Sequence, residues 1–413
     1  MNISNTHNCY GCGVCAIVCA RHIIDIILNA DGFYEPHITD ESKCTNCGLC
    51  MNVCSYNHED LSLKDICINS YAAWSNDKKA RRKCSSGGVG FEIFINLQNR
   101  MAQGRDAGEQ TERLRRFHRG GVRYDSDLNR AEHFIATTVE ELIPSIGSKY
   151  IQSYTVDGFR AINRKEKYLV TGTPCQIDSF RRYIQKFHCE DNFILLDFFC
   201  HGVPSMLMWK KYVAWAEKKV GKLTYVSWRN KFTGWHDSWA MSIDGEIVNR
   251  KALDKDSYDE LMKERKGSLN SRWTQGDMFY LLFLSDSCLG KACYNKCKFK
   301  YDCSSADIRI GDMWGKTYKD NEEGVSAVIS FTIKGYDVLK QCGCTFIEYP
   351  FDIVAAGQMK SMPIAPKYSS KVSAVLHDVN KPLSKAAMYP NRERIIGKWK
   401  RRINSILRIC RII

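Results

Sequence analysis

No stretch of the 413-residue sequence approaches 18 uninterrupted apolar residues, which argues against a membrane-spanning helix. The N-terminus, MNISNTHNCYGCG, has neither a basic n-region nor an apolar h-region, so no secretory signal is expected. No nucleic-acid-binding motif accompanies the net charge of +14, and no nucleic-acid partner is expected. The expected compartment is the cytoplasm. Against these absences stands an excess of cysteine, twenty in all. In a reducing compartment so many thiols point to metal rather than disulfides. Eight of them fall between Cys9 and Cys54, a density of ligands. The chain is too long for one average domain, and 44% hydrophobic residues supply ample cores.

Charge is unevenly spread. Residues 1–66 hold Arg21, Lys43 and Lys64 against eight acidic residues, a net of −5, so the remainder carries +19. An acidic module docked on a basic body, or a basic body receiving anionic cofactors, is the economical reading.

Cys9, Cys12, Cys15 and Cys19 are spaced C-x2-C-x2-C-x3-C, and Cys44, Cys47, Cys50 and Cys54 repeat that spacing. Three thiolates from a tight loop and one from elsewhere suit a cubane. In two-cluster ferredoxins the fourth cysteine of each run serves the other cluster. Cys9, Cys12, Cys15 and Cys54 are therefore assigned to one [4Fe–4S] cluster, and Cys44, Cys47, Cys50 and Cys19 to a second. Gly11, Gly13 and Gly48 let the loops wrap closely. The proline usual after the fourth cysteine is replaced by Ala20 and Ser55. Structural zinc sites sharing the same cysteines are the bland alternative. Ile23–Leu28, Asp31-Gly32 and Tyr34–Ile38 read as a hairpin joining the two halves.

From about residue 67 the segments lengthen. Tyr168–Thr171 reads as a buried strand, Thr173 as an N-cap and Pro174 as the first helical residue. Ile177, Phe180, Ile184 and Phe187 mark one face of a helix, and Phe193–Phe199 is another buried strand. Such a strand–helix–strand unit brings both strand C-termini to one sheet edge, where α/β proteins bind ligands. Cys175 and Cys200 stand just beyond those ends. With Cys293 and Cys297 they would make a third [4Fe–4S] site, Cys288 and Cys303 being substitutes. Buried structural cysteine is the alternative for each. Asp307–Trp314 reads as a strand and turn. Ser85-Ser86-Gly87-Gly88 precedes an apolar helical segment, Phe91–Leu97, and suits a phosphate or a flavin; a simple cap is the alternative.

CSSGGVG at 84–90, SKYIQS at 148–153, GTPCQI at 172–177, FCHGVPS at 199–205 and ADIRIGDMWG at 306–315 resemble the coenzyme F420 hydrogenase/dehydrogenase beta-subunit family. The resemblance covers roughly residues 70–365, behind a fused ferredoxin module. It implies an α/β body binding FAD and a [4Fe–4S] cluster on Cys175, Cys200, Cys293 and Cys297. Ser85, Ser86, Gly87, Gly88, Thr171, Gly172 and Thr173 become flavin contacts, and His201 a proton donor near the flavin or else a turn residue. In hydrogenase relatives the two-electron partner is a deazaflavin, coenzyme F420. Members in this fused form also occur among polysaccharide-biosynthesis proteins.

Asn96–Gly121 departs from the family. It holds six arginines and almost no aliphatic run, so a buried strand is not expected before Val122. A frame error and an exposed insertion both explain it. Trp228-Arg229-Asn230-Lys231 reads as a receiver of an anionic group or as a solvated strand edge. Residues 392–413 carry eight basic residues and one acid among Ile395, Ile396, Trp399 and Ile403. They suit either an anionic membrane surface or a terminal helix packed on the body.

The expected architecture is an α+β ferredoxin-like module (1–66), an α/β body with a mainly parallel or mixed sheet (67–365, dividing at 165/166) and a basic helical tail (366–413). The expected function is an FAD-dependent iron–sulfur oxidoreductase working with a redox partner protein or a small-molecule acceptor. The alternatives are an electron-conduit subunit and a cluster-based redox sensor.

Overall fold

A computed structural model describes residues 2–102, 117–247 and 257–409. The expected hairpin forms from β1 (Ile24–Leu28) and β2 (Tyr34–Ile38), antiparallel, with Ile24 opposite Ile38. Strand alternation buries Ile24, Ile26 and Tyr34 and turns Asp25 and Ile27 outward. Each cysteine run ends in a short helix, Val14–Val18 and Leu49–Asn52, entered through Gly13 (φ +74°) and Gly48 (φ +73°). A Cβ on Gly13 would also clash with Thr155 Oγ1. That position therefore needs glycine both for its backbone and for the close approach of the body.

The body is a nine-stranded mixed sheet. Its strands are β3 (Asn69–Ser75), β4 (Phe117–Asp125), β5 (Arg130–Ala136), β6 (Ser153–Tyr154), β7 (Lys167–Thr171), β8 (Phe193–Phe198), β12 (Ile308–Asp312), β13 (Ser326–Ser330) and β14 (Cys344–Glu348). Their order is β14-β3-β13-β12-β8-β7-β4-β5-β6. The centre, β12-β8-β7-β4, is parallel; antiparallel pairs flank it. Parallel strands are buried on both faces, which is why Tyr168–Val170 and Phe193–Leu196 read as unbroken apolar runs. The helix Pro174–Lys186 connects β7 to β8 and buries Ile177, Phe180 and Ile184. Its start is closed by Gln176 Oε1 accepting from Thr173 N at 2.8 Å.

Three expectations change. The arginine-rich segment does contain a strand: β4 begins at Phe117, inside the sheet between β7 and β5. Arg119 is buried there because its guanidinium donates to Thr137 O at 3.0 Å, and Gly120 and Gly121 leave room beside their neighbours. Residues 103–116 lie outside the described residues. Second, Trp228–Lys231 is not a solvated edge. It closes β9 (Leu223–Arg229), which pairs with β10 (Trp239–Gly245) and, through it, β11 (Leu269–Arg272) in a separate antiparallel sheet, and Trp228, Arg229 and Lys231 are buried. Lys231 Nζ donates to the carbonyls of Arg81, Ser86 and Glu323, at 2.5–2.6 Å, leaving it no role for an anion. Third, the tail starts as body. Helix Ser369–His377 and the start of helix Leu383–Ile409 place Val372, Leu376, Leu383 and Ala386 in one core with Trp209, Tyr212 and Phe279.

The N-terminal module shares a core with the body. Ile3, Val14 and Ile26 pack in one cluster with Val156, Phe159, Ile177 and Phe180. Opposite charges line the seam: Lys291 meets Asp31 at 3.0 Å and Arg182 meets Asp60 at 3.4 Å. Lys298 Nζ also donates to the carbonyls of Ser55, His58 and Asp60.

His133 on β5 gives the fold a pH dependence. Its ring is buried, 3.0 Å from Thr171 O, and burial pushes its pKa down to about 4. An unfolded histidine titrates near 6.5, so the stabilisation is full above that pH and drains as pH falls toward 4. Going from pH 7.5 to 5 should remove about 2 kcal/mol through this residue. Urea denaturation of His133→Phe should show a shallower fall over that range than the parent. An identical pH slope would mean that His133 is not the titrating group.

Candidate functional site

Three groups of thiols come together. Cys9, Cys12, Cys15 and Cys54 line one small cavity with Tyr10, Gly11 and Gly13. Burial pushes these thiols up, Cys54 to about 11, and the neighbours that raise Cys15 next are Cys12, Cys9 and Cys54. Cys50 is likewise raised by burial, with Cys47 and Cys19 beside it, and Cys44 stands on the exposed side near Asn2 Nδ2 at 3.5 Å. The fourth cysteine of each run thus stands among the cysteines of the other run. Locally, each fourth cysteine stands beyond the end of a short helix, Cys19 after Val14–Val18 and Cys54 after Leu49–Asn52, which carries it away from its own loop.

The third group gathers at the body's sheet edge. Cys175 stands among Cys200, Cys293 and Cys297, and its sulfur lies 3.1 Å from Thr173 Oγ1. Burial pushes Cys175 and Cys200 up, and Cys293 up to about 12. The crossover β7–helix–β8 supplies the first two thiols, and the helix Lys291–Asn295 with the turn after it supplies the second pair. Lys300 Nζ holds the β8 end by donating to Cys200 O at 2.6 Å and His201 O at 3.1 Å. Cys288 belongs elsewhere: its sulfur packs on Met208 Sδ at 3.5 Å inside the apolar core. Among the described residues no three His, Cys, Asp or Glu side chains could hold a single metal ion. The donor chemistry fits a cluster: each of these groups brings together several thiols, the ligand type of iron–sulfur centres.

The first and third groups are joined by Tyr10, within the Cys9–Cys12 loop. Its hydroxyl donates to Lys296 O, inside the Cys293–Cys297 loop, and its ring packs edge-on against Tyr56 and Phe299 at 5.3 and 5.7 Å. Cys12 Sγ meets Ser179 Oγ at 3.3 Å, on the helix that carries Cys175 in its first turn.

Beside the third group opens a cavity of about 920 Å³, within the range of small-molecule and cofactor sites. Ser85, Ser86, Gly88, Thr171, Gly172 and Thr173 line it, as do Cys200 and His201. Gly87 faces the sheet instead: its N donates to Ser326 Oγ at 3.0 Å, and a Cβ there would run into Ala73 O. His201 Nε2 stands 2.8 Å from Asp286 Oδ1 and its ring lies 4.8 Å from Phe283. The pair lies at ion-pair distance without hydrogen-bond geometry.

Further groups line the cavity. Lys149 donates to the carbonyls of Pro144, Ser145, Ile146 and Gly147 at 2.8–3.1 Å, and burial pushes its pKa down to about 7. Its place in SKYIQS was the available signal. Trp239, Trp273 and Trp314 form an aromatic wall, Trp239 lying 5.4 Å from Trp314 and 5.8 Å from Trp273. Arg229, paired with Asp312, stacks over Trp314 at 5.4 Å. Only Trp314, within ADIRIGDMWG, carries a sequence signal; Trp239 on β10 and Trp273 on a turn after β11 carry none.

Clustered thiols beside a cofactor-sized cavity suit the class of iron–sulfur redox proteins. Comparison with known proteins gives the particular family. Residues 165–345 match the C-terminal family model of the coenzyme F420 hydrogenase/dehydrogenase beta subunits, and residues 8–58 match the 4Fe–4S dicluster domain. The coenzyme F420 hydrogenase subunit beta of Methanococcus voltae is 28% identical over 136 residues, 31% of this chain and 44% of the relative. The match thus spans less than half of that relative's length. The F420-reducing [NiFe] hydrogenase complex of Methanosarcina barkeri contains a chain 16% identical, with 82% of this chain and 94% of that one covered at a TM-score of 0.40. Residues 165–345 thus form a C-terminal domain of the F420 hydrogenase/dehydrogenase beta-subunit type, with a 4Fe–4S dicluster domain ahead of it at residues 8–58.

Proposed function

We propose that this chain is an iron–sulfur flavoprotein oxidoreductase that passes electrons between its N-terminal module and a two-electron substrate at bound FAD. Cys9, Cys12, Cys15 and Cys54 would hold one [4Fe–4S] cluster and Cys44, Cys47, Cys50 and Cys19 another. Cys175, Cys200, Cys293 and Cys297 would hold a third. The observation that carries the reading is Cys200, a member of the third thiol group and part of the cavity wall. Tyr10 provides the matching contact between the first and third groups. Flavin would supply the exchange between one-electron and two-electron chemistry that clusters lack. The turns holding Ser85, Ser86, Gly88, Thr171, Gly172 and Thr173, which line the cavity, would bound its polar parts. The Trp239–Trp273–Trp314 wall would orient and shield the reacting face, and His201, beside Asp286, would give or take the proton there.

Residues 1–66 act in this reading as the docking end for a one-electron partner. A second reading, an electron-conduit subunit serving a partner enzyme, is supported by the Methanococcus voltae relative, which is named as one subunit of a hydrogenase. Bleaching of bound flavin by a soluble substrate without any partner would favour the first reading; bleaching only with a partner would favour the second. Deazaflavin is one candidate substrate, and polysaccharide biosynthesis is the setting that the fused arrangement suggests. Anaerobic purification with iron, sulfide and flavin analysis tests the proposal: ~12 iron per chain from three cubanes and one FAD are expected. About 8 iron without flavin would leave only the N-terminal clusters and overturn it.

A further inference from the structure

The helix Leu383–Ile409 has two faces with different uses. Leu383, Ala386, Ala387 and Pro390 are buried against the body. Beyond Pro390 the helix runs on with large apolar side chains in the open. Ile395, Ile396, Trp399 and Ile403 are 45%, 44%, 60% and 52% exposed. At about 100° per residue these four share an arc of about 100°, centred roughly half a turn from the buried face. The stripe is therefore no continuation of the core contact, and nothing among the described residues covers it.

Its borders are basic. Lys398 and Arg402 flank one side and Lys400 the other; all three are exposed. Arg402 lies 6.0 Å over the Trp399 ring, so an apolar and a cationic group are presented together. An apolar stripe with tryptophan, rimmed by long cationic side chains, matches a bilayer interface: the stripe enters the headgroup–acyl boundary and the stems reach up to the headgroups. The body agrees in sign, since residues 67–413, this helix included, carry +19. No described helix is long and apolar enough to cross a membrane, so the contact is with the surface.

We propose that this helix seats the protein on a lipid bilayer carrying anionic headgroups. The occupant is chosen by charge: a second copy of the chain would bring the same basic rim against itself, whereas an anionic surface neutralises both rims at once. The proposal is independent of the cofactor assignments.

The test is co-sedimentation of the anaerobically purified full chain with phosphatidylcholine vesicles, with and without phosphatidylglycerol. Binding is expected to the anionic vesicles, to be weak for phosphatidylcholine alone, and to fall as salt rises. Lys398→Gln with Lys400→Gln should weaken it about 25-fold, about fivefold for each charge lost. Trp399→Ser should weaken it as well, with iron content unchanged in every variant because these side chains are exposed. Failure of the parent to sediment with anionic vesicles, or equal binding by the variants, overturns the proposal. So does self-association abolished by Trp399→Ser without vesicle binding, which would make a second copy the occupant.

Discussion

Replacing Cys175 by serine should lower the iron content from ~12 to ~8 per chain, the loss of one cubane, and leave the two N-terminal clusters in place. Serine is nearly isosteric, so the helix Pro174–Lys186, closed by Gln176 Oε1 on Thr173 N, keeps its start. What disappears is a thiol whose neighbours are Cys200, Cys293 and Cys297. The alkoxide that would replace it is far harder to form at neutral pH, and desolvation already pushes the Cys200 and Cys293 thiols up. The two other groups draw on no residue of this set. Low-potential electrons entering at residues 1–66 should then reduce the N-terminal clusters and fail to bleach flavin, although chemically reduced flavin still forms. Unchanged iron in Cys175→Ser would show the third assignment to be wrong.

Arg309→Met should produce the largest loss of stability. Arg309 and Asp197 are fully buried and paired in a fork, Nε to Oδ1 and Nη2 to Oδ2, both at 2.7 Å. The same guanidinium donates to Tyr301 O and Cys303 O, and Ser304 Oγ donates to Asp197 Oδ2. These bonds tie the segment after Cys297 to β8, the strand that ends before Cys200. Methionine would leave the carboxylate buried without its partner, at an expected cost of about 3–5 kcal/mol. Chemical denaturation should show this as a lower midpoint, and the third cluster should be lost ahead of the others because its two halves are held together here. Adding Asp197→Leu should recover part of the loss, since a buried apolar pair of similar volume is often no worse than the ion pair. Full stability in Arg309→Met would mean that Asp197 finds another partner, and the seam would not depend on this fork.

Much of the electron-transfer end was legible before folding. The repeated C-x2-C-x2-C-x3-C spacing puts ligands in one loop, and the unbroken runs Tyr168–Thr171 and Phe193–Phe199 mark parallel strands because both of their faces are buried. The crossover then brings Cys175 and Cys200 to one edge whatever the rest of the sheet does. Less could be read where local pattern and tertiary position disagree. Arg119 looked like surface and is interior, since a carbonyl, Thr137 O, accepts from its guanidinium within the sheet. Lys231 looked like an anion receiver and is instead consumed by three backbone carbonyls.

By itself the sequence determined the inventory: which thiols exist, how they are spaced along the chain, where the acidic module gives way to the basic body, and which strands must be buried. Those properties depend on nearest neighbours and on period. Tertiary structure alone decided adjacency. It placed Tyr10 against the Cys293–Cys297 loop, gathered Trp239, Trp273 and Trp314 from three distant segments into one wall, and turned Ile395, Trp399 and Ile403 away from the core. Contacts between residues far apart in sequence follow from how sheets and helices pack, and no local pattern carries them.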